Sequence, residues 1–280
     1  MNRRIFLTLA VSTVFSLGRF PWVWAKSVEP DTSNRFRIQD VSLKDYLHKM
    51  RNFDVPHMED IYVEPEDCHF LESVVFRFRK IIKMVGHGNF ALLSLDEAIQ
   101  TARDYQDVGC FSENELIFLE KIFYTESSVY GFLDDKPLKN LTDRIDKQRT
   151  VKIPYSGNYL YQGHPFETYQ QIKNSIGENV ILTSGLRSIV KQFYLFLNKV
   201  YTNQGNLSLA SRSLAPPGYS FHGIGDFDVG QVNFGEFNFT EKFTDSGVYK
   251  KLTDLGYSGF RYPDGNQLGV RFEPWHIKVS

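Results

Sequence analysis

The chain has 280 residues, of which 42% are hydrophobic and 23% charged, a composition typical of a globular protein. Its formal net charge of −1 gives no reason to expect nucleic acid or an anionic membrane surface as a partner. The 24 phenylalanines and 15 tyrosines are enough for a sizeable core in one or two domains.

The first 25 residues predict an export signal. Arg3 and Arg4 precede an apolar segment over residues 5–17, which is too short to span a bilayer, and Val23 and Ala25 precede a candidate cleavage site. The order R-R-x-F-L resembles a twin-arginine signal, whose pathway exports folded proteins, with a Sec signal or an uncleaved anchor as the alternatives. We therefore expect a periplasmic or otherwise extracytoplasmic protein, without stable membrane insertion after cleavage.

Residues 26–149 predict a helical N-terminal region. Ser94 with Glu97, and Ser112 with Glu115, have the three-residue spacing of a capping box and precede apolar runs. No motif of known chemistry occurs in this region.

Three smaller features belong to the same region. Apolar residues spaced i, i+3, i+4 and i+7 predict a helix that starts after Ser42. The segment V-G-H-G-N-F predicts a glycine-rich turn, in which His87 is a loop residue rather than a functional one. Cys68 and Cys110 are the two cysteines, and we expect either a disulfide or two buried thiols.

Residues 150–280 predict a small mixed domain. We expect a strand over 180–182, a helix over 189–201, a helix over 246–255, and a hairpin-like pair of strands around residues 264–265. The chain then ends in the strand-like G-V-R-F-E-P-W-H-I-K-V. The fold class is therefore α+β, with helices first and the sheet near the C-terminus.

Histidines and carboxylates are concentrated in two motifs of this second half. The segment S-F-H-G-I-G-D-F-D-V-G contains His222, Asp226 and Asp228, and E-P-W-H contains Glu273 and His276. A hydrolytic zinc site needs imidazole and carboxylate ligands, an open position for water, and a second carboxylate that accepts a proton. These residue types supply that set.

Together the motifs resemble those of peptidase family M15, the zinc D-Ala-D-Ala carboxypeptidases and dipeptidases of the VanY and VanX type. The first motif is similar to S-x-H-x-x-G-x-A-x-D, E-P-W-H is similar to E-x-x-H, and T-S-G-L-R-S is similar to S-G-Y-R-S. The resemblance covers roughly residues 150–280. It implies a central antiparallel sheet that carries a zinc site.

The resemblance implies that His222, Asp228 and His276 hold Zn²⁺. The family's spacing would place the aspartate at Val229, because the run after the histidine is one residue shorter here. Asp228 is the favoured ligand because apolar residues flank it, and Asp226 is the alternative.

The resemblance also implies the catalytic and substrate-binding roles. Glu273 would be the general base and then the general acid. Arg187 would bind or polarise the carbonyl or carboxylate of the substrate, Ser220 would bind its terminus, and Gln192 would be a further substrate-binding residue. Trp275 would pack beside the site. His164, in Y-Q-G-H-P-F, is interpreted as a loop residue.

The resulting hypothesis is an exported zinc metallopeptidase that acts on peptidoglycan stem peptides, as a D,D-carboxypeptidase that releases C-terminal D-alanine. An L,D-carboxypeptidase, a dipeptidase or an endopeptidase of the same family is open. A non-catalytic, zinc-containing cell-wall binding module is open as well, although Glu273 favours an enzyme. An adaptor role for residues 26–149 is a separate possibility.

Overall fold

The computed structural model describes residues 43–257 and 259–280. The expected export signal lies outside these residues. Among the helices that the structure describes, none combines the length and the apolar character needed to cross a bilayer.

The regular elements are numbered in chain order. The α-helices of the described residues are α1 (43–51), α2 (Cys68–Val85), α3 (His87–Phe90), α4 (Leu95–Asp104), α5 (Glu113–Tyr124), α6 (His164–Ile176), α7 (Ile189–Thr202), α8 (Leu207–Ser211) and α9 (Gly247–Asp254). The strands are β1 (Thr150–Lys152), β2 (Tyr159–Tyr161), β3 (Val180–Ser184), β4 (Phe227–Gln231) and β5 (His276–Ile277).

Both predicted capping boxes are present and start α4 and α5. The Ser94 hydroxyl accepts the Glu97 backbone N–H, and the Glu97 carboxylate accepts the Ser94 backbone N–H in return. Ser112 and Glu115 make the same reciprocal pair. Each box satisfies backbone donors that a helix start otherwise leaves unpaired, which is worth about 1 kcal/mol.

The first hydrophobic core is built by helices from both halves of the chain. Phe78 of α2 and Phe123 of α5 are completely buried, and they belong to the same cluster as Phe193 and Phe196 of α7. Burying an aromatic side chain contributes roughly 2 kcal/mol or more. Helix α7, which follows the T-S-G-L-R-S motif, is therefore fixed by the N-terminal helices.

The second core lies under a three-stranded antiparallel sheet in the order β3-β4-β5. Side chains of one sheet face, including Phe227, Val229 and Ile277, pack with Tyr169 of α6 and Leu252 of α9. Because successive residues of a strand point to opposite faces, the residues between them lie on the other face. The predicted α+β class with a central antiparallel sheet is confirmed.

The loop around residues 264–265 differs from the predicted hairpin. Backbone groups that would form its second strand pair with distant segments: Leu133 N–H donates to Leu268 O at 2.8 Å, and Arg271 N–H donates to Arg212 O at 2.9 Å. Within the loop, Asn266 N–H donates to Pro263 O at 3.1 Å, which closes a turn without paired strands over residues 261–270. Among the described residues, the β-bridge next to this loop joins Phe260 to Ile277 and does not join the two sides of the loop. The hairpin prediction was therefore wrong.

Two further predictions in the N-terminal half were also wrong. The segment V-G-H-G-N-F forms the short helix α3 rather than an open turn, because Phe90 is buried in the first core and its N–H donates to Gly86 O at 3.0 Å. Cys68 and Cys110 are both free and exposed, so they are neither bridged nor buried. The Cys68 thiol instead faces the Glu64 carbonyl oxygen of the preceding turn.

A buried ion pair fastens residues 53–60 to the end of α8. Arg212 donates through Nη1 and Nη2 to the two carboxylate oxygens of Asp60 at 2.7 and 3.0 Å, and it also donates to the carbonyl oxygens of Phe53 and Val55. Burial alone would raise the pKa of Asp60, but the hydrogen bonds from Arg212 and its neighbours lower that pKa to about 2. The pair therefore stabilises the folded state while Asp60 is ionised.

Replacing Asp60 with Asn should leave the Arg212 charge buried without its partner and lower the free energy of unfolding at pH 7 by about 3 kcal/mol. Because the folded pKa lies below the unfolded value of about 4, the stabilisation is complete above pH 4 and is lost as the pH falls toward 2. Urea denaturation between pH 7 and 2 should show a smaller loss of stability with falling pH in Asp60→Asn than in the wild type, because the other buried carboxylates still titrate.

Glu59→Gln is the matched control, because Glu59 pairs with Lys49 on the surface and its side chain is 81% exposed. This variant should unfold at nearly the wild-type urea concentration. Equal destabilisation by the two substitutions would contradict the structural role assigned to Asp60.

Candidate active site

The pairing of β4 with both of its neighbours brings two predicted ligands together. Asp228 lies opposite His276 of β5, and on the other side it pairs with Ser184 at an irregularity in β3. The flanking Phe227 and Val229 are buried in the second core. Asp228 and His276 therefore share the opposite face of the sheet.

His222 reaches the same place from the turn Phe221–Gly223, just before β4. Its ring nitrogen Nδ1 donates to the carbonyl oxygen of Gly185 at 2.8 Å. A Cβ at Gly185 would lie 2.1 Å from the Tyr159 carbonyl oxygen, so only glycine fits there. Gly225, with φ +134°, then turns the chain from His222 into the strand.

The three residues form a compact buried group. The nitrogen Nε2 of His222 lies 3.3 Å from Oδ1 of Asp228, and Nδ1 of His276 lies 3.7 Å from the same oxygen. One ligand atom from each residue lies within 4.8 Å of the other two. Two imidazoles and one carboxylate at this separation are a donor set that suits zinc.

The protonation of His222 supports a cation at this point. Its Nδ1 carries the proton donated to Gly185, and burial followed by the Arg187 charge lowers the pKa of the ring, which favours the neutral form. The buried Nε2 then presents a lone pair toward Asp228 Oδ1, and neither atom has a hydrogen-bond partner. A metal ion would satisfy both atoms, so the residues present fit such an ion.

Arg187 holds the other oxygen of Asp228. Its Nη2 donates to Asp228 Oδ2 at 2.7 Å, and its Nε donates to the hydroxyl of Ser184 at 2.9 Å. Burial would raise the pKa of Asp228, but its contacts with His222 and Arg187 hold that pKa well below its usual value. The carboxylate is therefore ionised, with Oδ1 left to face the histidines.

The second aspartate of the motif lies beside the opposite ring nitrogen of His276. Asp226 is fully buried, and its Oδ2 lies 3.3 Å from His276 Nε2. Arg261 Nε donates to the same oxygen at 2.8 Å, while the backbone N–H groups of Val279 and Ser280 donate to Oδ1. A carboxylate in this position fixes the orientation of a ligating imidazole and raises its basicity.

Burial alone would lower the pKa of His276, but its contacts with Asp226 and Glu273 raise that pKa to about 9. A ligating imidazole must lose its second proton, so a metal ion would compete with a proton for Nδ1. Nε2 would keep its proton toward Asp226.

Glu273 lies beside the three-residue group without being part of it. Its side chain is largely buried, and Oε2 lies 3.3 Å from His276 Nδ1. The turn of E-P-W-H brings it there, because the His276 N–H donates to the Glu273 carbonyl oxygen. A carboxylate next to a metal position can accept a proton from water.

A cavity of about 280 Å³ opens over these groups. Arg187, Ser220, Glu273 and Trp275 line it together with the three candidate ligands. The structure thus brings most of the predicted site residues to one place.

Gln192 does not line this cavity. Its Oε1 accepts the Gly218 N–H and its Nε2 donates to the Arg187 carbonyl oxygen, both at 2.9 Å. Its amide therefore holds two backbone segments next to the site. His164 is the first residue of α6, so its interpretation as a loop residue was wrong, and like His87, the first residue of α3, it lies away from the cavity lining.

The cavity wall also contains residues that sequence reasoning missed, among them Lys199, Arg271 and Tyr262. Lys199 lies seven residues after Gln192, which is two helical turns along one face of α7. Arg271 precedes Glu273 by two residues. These two spacings from predicted site residues are the features of the sequence that could have indicated Lys199 and Arg271.

The three-residue group is a candidate metal centre on a small antiparallel sheet. Residues 163–279 match the family model of VanY, described as D-alanyl-D-alanine carboxypeptidase. This match confirms the resemblance inferred from the motifs, and we call residues 163–279 the VanY-like segment.

Three solved structures illustrate what this chain is similar to. An LdcB LD-carboxypeptidase is 25% identical over 45% of this chain and 61% of its own, with a TM-score of 0.38. A vancomycin-resistance D,D-pentapeptidase VanY in complex with Zn(II) is 24% identical over 54% and 86%, with a TM-score of 0.38. A D,D-dipeptidase VanXYg with a D-Ala-D-Ala phosphinate analogue is 21% identical over 52% and 61%, with a TM-score of 0.42.

This chain therefore spans less than two thirds of the LdcB and VanXYg chains. A comparison with curated protein sequences finds no match.

The separate positions of the two aspartates lead to a metal-binding prediction. Asp228→Ala should abolish tight zinc binding, because it removes the carboxylate that faces both histidines. Asp226→Asn should keep the metal but weaken its affinity about tenfold or more, because it disturbs the orientation of His276 and removes none of the three ligands. Zinc per chain by mass spectrometry, and a competition titration with a chelator, would measure both effects.

Asp264→Asn, at an exposed position, is the control and should bind zinc like the wild type. Zinc that is lost in Asp226→Asn and kept in Asp228→Ala would reverse the two assignments.

Proposed function

We propose that the protein is an exported zinc metallopeptidase that hydrolyses peptidoglycan stem peptides, and that it acts as a D,D-carboxypeptidase releasing C-terminal D-alanine. The observation that carries the proposal is the buried group of His222, Asp228 and His276 with Glu273 beside it. The match of residues 163–279 to the carboxypeptidase family supports the same reading.

His222, Asp228 and His276 would hold Zn²⁺, which when bound supplies a Lewis acid and lowers the pKa of a water molecule. Glu273 accepts the proton of the attacking water on its carboxylate, and then donates it to the amine of the leaving residue. The same carboxylate can serve both steps because it lies on the cavity wall next to His276.

Arg187 has two tasks in this proposal. Nε and Nη2 hold Ser184 and Asp228, which fixes the guanidinium plane. Arg187 lines the cavity, so its remaining nitrogen, Nη1, would donate to the carbonyl oxygen of the scissile bond, where negative charge develops. This donation would stabilise the transition state more than the bound substrate.

Ser220 and Gln192 complete the substrate site. Ser220 lies on the cavity wall, where its hydroxyl can bind a polar group at the terminus of the substrate. Gln192 acts through the backbone, because its amide holds Gly218 and Arg187 in place. In this proposal its contribution to substrate binding is therefore indirect.

Export is part of the proposal because stem peptides lie outside the cytoplasmic membrane, and residues 1–25 carry the predicted twin-arginine signal. Among the activities of the family, we favour cleavage of a terminal D,D bond. Defined muropeptides that end in a D,D bond, an L,D bond or a cross-link distinguish the possible activities by the mass of the product.

Glu273→Gln should lower the rate of hydrolysis about a thousandfold, because it removes the group that moves the proton in both steps. Zinc content should remain near the wild-type value, since Glu273 is outside the three-residue group. Mass spectrometry of a pentapeptide muropeptide, which would lose one alanine, measures the activity.

Glu236→Gln, at an exposed position, is the matched control and should retain full activity. Retention of most activity in Glu273→Gln would rule out Glu273 as the base. A wild-type protein that holds zinc and binds muropeptides without cleaving any of them would favour the non-catalytic binding module instead.

A further inference from the structure

Two cations without a carboxylate partner lie on the wall of the catalytic cavity. Lys199 of α7 and Arg271, which precedes Glu273, both line it. Among the described residues neither makes an ion pair, whereas Arg187 on the same wall is paired with Asp228. Arg187 therefore has a carboxylate in direct contact, whereas the charges of Asp54 and Glu273 act on Lys199 and Arg271 only from beyond ion-pair distance.

The protein holds this pair in place with neutral groups. The ammonium of Lys199 donates to the hydroxyl of Ser213, and Arg271 donates through Nη2 to the Phe239 carbonyl oxygen at 3.0 Å. The Phe53 ring contacts both, since its centroid lies 5.8 Å from Lys199 Nζ and 4.4 Å from Arg271 Cζ. The nitrogen Nε of Arg271 is buried without any hydrogen-bond partner.

Such an arrangement is costly in the free protein. Burial, followed by the neighbouring Arg271 charge, lowers the pKa of Lys199 to about 8, and burial also lowers the pKa of Arg271. Two like charges that are partly removed from water repel each other. A negatively charged group bound between them would relieve both penalties.

The position of the pair relative to Glu273 indicates which anion enters. In the proposed reaction Glu273 protonates the amine of the leaving residue, so that residue must lie on the Glu273 side of the cavity. In a C-terminal amino acid the free carboxylate is one carbon atom away from this amine. Arg271 lies two residues from Glu273, and the charge of Glu273 also acts on Lys199.

We propose that Lys199 and Arg271 form an anion clamp that binds the free carboxylate of the leaving residue and so restricts the enzyme to peptides with an unblocked C-terminus. The proposal rests on the proposed function, and it adds the residues that select the end of the chain. The clamp depends on Phe53, whose carbonyl oxygen is held by Arg212. Residues outside the VanY-like segment therefore help to determine specificity.

Equilibrium binding to the zinc-loaded Glu273→Gln protein tests the clamp without turnover. The probes are the dipeptide D-alanyl-D-alanine and its C-terminal amide, measured by isothermal calorimetry. The free acid should bind at least about tenfold more tightly than the amide, since a charge-assisted hydrogen bond to a carboxylate is stronger than one to a neutral amide.

Adding Lys199→Met should reduce this preference about tenfold by weakening the free acid and leaving the amide unchanged. Methionine has a similar shape, and removing an unpaired buried charge does not threaten folding. Arg271→Gln is the second variant and should act in the same direction. Zinc content and the thermal unfolding midpoint are recorded for each protein.

Lys191→Met is the matched control in the same background. Lys191 is also a partly buried lysine of α7 and lies over the Phe90 ring, but it does not line the cavity. It should leave the preference for the free acid intact.

Equal binding of acid and amide, or a preference that survives both Lys199→Met and Arg271→Gln, would overturn the clamp. If the clamp fails in this way while the wild type still hydrolyses muropeptides, the proposed function stands and only the clamp is refuted. A preference that disappears in the clamp variants, in a protein whose wild type cleaves nothing, would support the clamp and refute the peptidase.

Discussion

The pairing of β4 between β3 and β5 is the constraint on which the candidate site depends. It places Asp228 beside both His276 and Ser184 and leaves the hydrophobic neighbours of Asp228 in the core. A shift of one residue in this register would move Asp228 into the apolar layer and present Phe227 or Val229 to the cavity. Packing of the second core is therefore also what holds the ligands in place.

The remaining groups are oriented in relation to that strand. The Gly185 carbonyl oxygen sets the tautomer of His222, Arg187 holds one oxygen of Asp228, and Asp226 holds the far nitrogen of His276. Each candidate ligand thus has one atom bound to the protein and one atom directed to the common centre. This pre-organisation is what a metal site needs, because few groups must be ordered when the ion binds.

Much of the fold follows from local patterns in the sequence. The serine-glutamate spacings of the capping boxes involve only neighbouring residues, and the helix predicted over 189–201 is observed as Ile189–Thr202. The hairpin around residues 264–265 failed because the backbone groups of Leu268 and Arg271, which would belong to its second strand, pair with Leu133 and Arg212. Their distance along the chain gives no local pattern.

In the candidate site, too, the sequence predicts what depends on local motifs and misses what depends on contacts between distant residues. Its motif residues were found because their types and order are specific, whereas Lys199 resembles an ordinary surface lysine of an amphipathic helix in the sequence. Its burial depends on Phe53, which is 146 positions earlier in the chain. The separate surroundings of Asp226 and Asp228 could not be derived either, because they depend on Arg261 and on the backbone of residues 279–280.

The shared core of α2, α5 and α7 has a consequence for how such a protein can change over evolution or in the laboratory. Residues Leu43–Ser280 form one compact unit, and Phe193 and Phe196 of α7 are covered by helices that precede the VanY-like segment. A graft of that segment onto another scaffold would expose these rings, and α7 with Lys199 would lose the packing that fixes its position. Substitutions in the N-terminal helices and in the VanY-like segment should therefore occur together. New substrate preferences can then arise from substitutions far from the candidate metal ligands.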